Sequence, residues 1–134
     1  MKMLSKLASL SVCVLGLLLF SCDAEHVKDY YVVNAYEESI AINYQDVYGK
    51  GKSLEIEVND TVLIFSYRYV FGTVGVDNDG KFAIVNMILH NNDKSTSITQ
   101  NDWKYEKRSK YHADYYLIID STLLHKENRR NAST

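Results

Sequence analysis

The sequence predicts an all-β protein: an antiparallel β-sandwich, immunoglobulin-like or a small barrel, of about seven to eight strands behind a cleaved signal helix. Three observations predict it. Short apolar runs, several of them strictly alternating with polar residues, recur between residues 30 and 119 and are separated by polar turns. Strand-forming residues are abundant, eleven Tyr among them, and Pro is absent. Only a short stretch after Asp120 and Ser121 offers a helix start within the folded part, with either residue able to cap a turn ending at Leu124.

The elements follow in order. Residues 30–35 are a first strand. In the next, 39–44, Ile40, Ile42 and Tyr44 share a face, and Gly49-Lys50-Gly51 makes a turn. Residues 53–58 set Leu54, Ile56 and Val58 inward and Glu55 and Glu57 outward, which makes that acidic pair a solvated face and not an acid/base couple. Asn59-Asp60 turns into 61–69, where Leu63, Phe65, Tyr67 and Tyr69 line one side. Residues 70–76 hold two glycines and suit either strand or loop. Asp77-Asn78-Asp79-Gly80 is a turn with Gly80 at positive φ. Residues 81–89 are nearly continuously apolar, as in a strand covered on both faces. Residues 90–101 are polar enough for a surface loop, 102–107 alternate, and 112–119 form a last long strand. The expected organisation is a signal peptide over 1–21, a tether over 22–29, a sandwich over 30–125 and a disordered tail over 126–134.

The beginning of the chain carries an address. Lys2 and Lys6 precede an apolar run from Leu7 to Phe20, long enough for a secretory signal and short for a membrane span. The run ends Leu19-Phe20-Ser21-Cys22. This resembles the lipobox of bacterial lipoproteins, with Leu19, Ser21 and Cys22 matching and Phe20 standing where a small residue is usual. The resemblance implies cleavage before Cys22, a lipid (palmitate or a related acyl chain) on that cysteine, and a cell-envelope location, the outer membrane first, facing the periplasm or the surface. Two or three acyl chains anchor stably where one binds marginally. Cys13 lies in the signal, so the mature chain keeps a single cysteine and no intrachain disulfide. Thirteen basic residues then face seventeen acidic ones, a net charge of −4 that argues against a nucleic-acid partner.

From residue 17 to 124 the arrangement also resembles small lipoproteins of Bacteroides-like bacteria. The residues that carry this are the lipobox, the opening YYVVNAYEESIAINY (30–44), a glycine-marked hairpin with an apolar strand, and the aromatic close NDWKYEKRSKYHADYYLII (101–119). It implies a β-sandwich in the envelope and no site residues.

Motifs for chemistry are sparse. In a calcium-loop reading of 75–86, Gly75 and Asn86 stand where the main carboxylate ligands belong. No G-x-S-x-G is present, and Ser66 sits in mid-strand. Gly49-Lys50-Gly51-Lys52-Ser53 lacks the spacing of a phosphate loop. His112 and Asp114 share a strand face as half of a metal site, with no partner pair visible, and read as a solvent-facing polar pair. His26 falls in the tether and His125 near the tail. The expectation is no metal, no cofactor and no catalytic residue. The candidate binding patch is Trp103, Tyr105 and Tyr115, whose alternative role is core packing. Asp60-Thr61-Val62 and Asp120-Ser121-Thr122 resemble O-glycosylation acceptors, which would put Thr61 and Ser121 on exposed turns. The leading expectation is a non-enzymatic envelope module that binds a protein or glycan. The alternatives are a small hydrolase inhibitor or an accessory subunit of an envelope complex.

Overall fold

The computed structural model describes residues 24–70, 72, 74–78, 80–92 and 94–126. The expected signal peptide, Cys22, and residues 127–134 lie outside the described residues. Eight strands run in the order β1 (Glu25–Asn34), β2 (Ile40–Asp46), β3 (Gly51–Ile56), β4 (Thr61–Val70), β5 (Ile84–Asn91), β6 (Lys94–Ile98), β7 (Trp103–Ser109) and β8 (His112–Ile119). One helical turn, α1 (Ser121–Leu124), follows, and its N-cap Asp120 accepts from the Leu123 N–H at 2.9 Å. Two four-stranded sheets pack face to face, with orders β4-β1-β8-β7 and β3-β2-β5-β6. This is a sandwich and not a closed barrel. β1, β4, β7 and β8 form one sheet, and the hairpins β2–β3 and β5–β6 form the other, so the chain alternates between layers.

Alternation makes the core. On β1 one side is wholly buried (His26, Lys28, Tyr30, Val32, Asn34), and on β2 Ile40, Ile42, Tyr44 and Asp46 are buried while their neighbours are exposed. Tyr30, Val32, Leu117 and Ile119 of the first sheet join Ile40, Ile42, Ile56, Met87 and Leu89 of the second in one cluster. The β2–β3 turn is specified by its residues: the Asp46 carboxylate accepts from the Tyr48 and Lys50 N–H groups at 2.9 and 3.1 Å, and Gly49 takes φ +76°. Asn59 supplies the left-handed residue of the next turn at φ 61°.

Several expectations are corrected. Residues 25–29 are not tether. They are the first half of β1, paired with β4 on one side and, from Val27, with β8 on the other, and His26 and Lys28 are buried. The His26 ring hydrogen-bonds the Val74 carbonyl and the Lys28 ammonium donates to the Lys81 carbonyl, so Val74 and Lys81, ahead of β5, lie over this end of the sheet. The 90–101 stretch is not all loop, because 94–98 form β6 with Thr96 and Ile98 turned inward. The apolar run 81–89 is covered on one face only, since β5 starts at Ile84 and leaves Val85 66% exposed. The sheets are not purely antiparallel either: the first strand and the last lie side by side in parallel.

Candidate functional site

The residues singled out in the sequence fall on two sides of the first sheet. Trp103, Tyr105 and Tyr115 lie together toward the inner rim, beside the β7 edge. Trp103 belongs to the core, and the half-buried Tyr115 packs against it. The Trp103 ring is 8% exposed and meets Tyr30 and Phe82 edge-on at 5.6 and 5.9 Å. Tyr115 stacks on Tyr30 at 4.9 Å and 7°. Tyr105 is 43% exposed, sits edge-on to Tyr115 at 5.4 Å, and donates its hydroxyl to the Asp77 carboxylate, which also takes the Lys107 ammonium. With Asp77, Gln100 and Asn101 these rings line an open depression of about 470 Å³. So two of the three aromatics serve the core, and one presents its ring to solvent.

The outer face of the same sheet carries a polar row that the sequence concealed. Parallel pairing sets Asp29 of β1 opposite Asp114 of β8, and antiparallel pairing sets Glu106 of β7 on the other side of Asp114. Three acids therefore cross three neighbouring strands, an arrangement that repels unless cations intervene. Arg108 intervenes on one side. Its Nε donates to Asp114 Oδ2 at 2.6 Å, its Nη2 to the Tyr116 hydroxyl at 3.0 Å, and its Nη1 lies 3.4 Å from Glu106 Oε1. These partners push the guanidinium pKa well above its usual value. The Tyr116 hydroxyl also donates to Asp114 Oδ2, at 3.2 Å.

On the other side stands His112. Its Nε2 is 3.1 Å from Asp29 Oδ2 and 3.3 Å from Asp114 Oδ1. The three donor atoms lie within 4.8 Å of one another. The His112 side chain is 40% exposed, whereas those of Asp29 and Asp114 are 15% and 5% exposed. Asp114 Oδ1 is buried and makes no hydrogen bond. Tyr31 stacks on Tyr116 at 5.2 Å beside this cluster, and burial together with the Asp29 and Asp114 carboxylates raises its pKa. Asp114 is thus not the solvent-facing half of a pair that its spacing from His112 suggests, and the missing third residue is Asp29. No local signal marks it, because it comes from a strand 83 residues away.

Thr61 and Ser121 are both exposed, the first opening β4 and the second opening α1. Compared with protein-family models, curated proteins and solved structures, the chain matches none.

Proposed function

We propose that this chain is a non-enzymatic, lipid-anchored module of a bacterial envelope, and that the depression beside β7 binds a glycan. The address rests on Leu19-Phe20-Ser21-Cys22 after a basic start and an apolar run. The binding reading is carried by one observation: an exposed Tyr105 ring stands among Asp77, Gln100 and Asn101 around a concave surface. A flat aromatic face suits the apolar C–H face of a sugar ring, while carboxylate and amide groups suit its hydroxyls. Core packing of Trp103 and Tyr115 holds that ring on a rigid floor.

Two measurements test the reading. Cells fed a clickable fatty acid should label the wild-type chain and not Cys22→Ala, and the variant should keep its β-rich circular dichroism. A fatty-acid label retained by Cys22→Ala would sink the anchor. For the depression, wild-type protein titrated with a panel of envelope and host oligosaccharides should bind at least one member, and Tyr105→Ala should weaken that binding about tenfold, the loss of one stacking contact worth roughly 1–1.5 kcal/mol. Equal affinity of wild type and variant would remove the depression from the site.

A further inference from the structure

We propose that Asp29, His112 and Asp114 form a binding site for a divalent transition-metal ion, of which Zn²⁺ is the best fit, on the outer face of the first sheet. This site is independent of the glycan depression, which lies toward the opposite face.

The argument starts from what a proton does there. A proton on His112 Nε2 serves the hydrogen bond to Asp29 Oδ2 at 3.1 Å. It leaves Asp114 Oδ1 buried, 3.3 Å from the ring nitrogen, without a hydrogen bond. A buried carboxylate oxygen without a partner is costly. Without that proton, three lone-pair atoms face one another. A cation placed among them satisfies all three at once.

Distance and chemistry choose the cation. Ligands about 2.0–2.1 Å from a tetrahedral zinc ion stand about 3.3–3.4 Å apart. The two His112 separations, 3.1 and 3.3 Å, are close to that edge length, and the ligand atoms of all three residues lie within 4.8 Å of one another. An imidazole with two carboxylates suits zinc and neighbouring transition ions, whereas calcium and magnesium prefer all-oxygen shells. The surroundings fit as well. Arg108 and Tyr116 occupy Oδ2 of Asp114, which fixes the carboxylate and turns Oδ1 toward the ring. The half-exposed His112 leaves a path for entry and an open coordination position for water. All three residues sit on β1 and β8, the two central strands of the sheet, so the donors are held rigidly.

The test uses the full-length chain, purified in detergent, stripped of metal, and titrated with Zn²⁺ in competition with a chromophoric chelator. Ca²⁺ and Mg²⁺ are titrated in parallel. One equivalent of zinc is expected, bound at least a hundredfold tighter than either alkaline-earth ion. His112→Gln and Asp29→Asn should each weaken it at least tenfold while preserving the β-rich circular dichroism. Zinc should also raise the melting midpoint of the wild type and not of His112→Gln. His90 and His125 are the competing surface histidines, and the double variant His90→Gln/His125→Gln should keep the full equivalent. Retention of zinc by His112→Gln together with its loss from the double variant would overturn the site. So would zinc binding no tighter than about 100 µM, roughly 5.5 kcal/mol, which would assign the cluster to a shared proton.

Discussion

Tyr44 shows how a single hydroxyl ties the two layers together. The β1–β4 ladder shifts register between Tyr30 and Tyr31, and Ile64 is the β4 residue left without a partner in it. Tyr44, on the opposite sheet, donates its hydroxyl to the Ile64 carbonyl at 2.6 Å in the buried core. Tyr44→Phe should therefore cost about 1–2 kcal/mol in urea unfolding, because a buried carbonyl loses its donor. The same residue gives the domain an alkaline limit. Burial, and then the nearby Asp46 carboxylate, raise the phenol's pKa above the ordinary 10.0. The folded state holds this proton more tightly than the unfolded state. Its contribution is fully present below pH 10 and is lost as pH rises through the folded value. Stability should fall above about pH 10, and Tyr44→Phe should flatten that part of the decline. At the acid end, burial alone would raise the Asp102 carboxyl. Hydrogen bonds from the Lys126 ammonium and from the Thr99 N–H and hydroxyl instead hold it below the usual carboxylate value.

At the scale of the element, β1 departs furthest from its sequence reading. Its first residues, Glu-His-Val-Lys-Asp, look polar, and polarity just after the cysteine of a lipobox-like sequence suggests a leash. Yet β1 is an inner strand of its sheet, and His26 and Lys28 are buried because backbone carbonyls of the 74–81 segment receive them. Deleting residues 23–29 should therefore abolish the folded domain, seen as lost β-sheet circular dichroism and lost protease resistance, whereas a true tether could be removed without effect. Strands with clean alternation were legible: β2, the inner half of β3 and β8 occur within a few residues of where periodicity puts them. β6 was not, because Lys-Ser-Thr-Ser-Ile buries only two side chains and its short polar run carries little hydrophobic signal. The cluster on the outer face was half legible for a related reason. A spacing of two puts His112 and Asp114 on one face, but Asp29 joins them only through parallel pairing, and strand order leaves no mark in local sequence.

For the whole molecule, the core is the test of the layered reading. Leu117 is fully buried between the sheets, and Leu117→Ala should cost about 2–5 kcal/mol in chemical denaturation, with a single cooperative transition retained. The polar sites ride on this framework: the depression opens beside one edge strand, and the acid–histidine cluster spans the two central strands of the same sheet. The cluster draws its three donors from strands alone, whereas the depression also takes Asp77, Gln100 and Asn101 from the turns between strands.

The parallel contact between β1 and β8 also has a mechanical meaning. The chain enters the first sheet at Glu25 and leaves it at Ile119, and the two strands are registered over eight residue pairs, Val27 with His112 through Asn34 with Ile119. Entry and exit are therefore separated by the length of the ladder, roughly 25 Å at strand rise. If the proposed lipid anchor holds the first strand, a pull against a partner holding the last runs along the ladder and shears it. In shear every backbone bond of the ladder shares the load, whereas a hairpin pulled open from its free ends yields one bond at a time. A domain wired this way carries tension along its own central strands and holds until that ladder gives way as a unit.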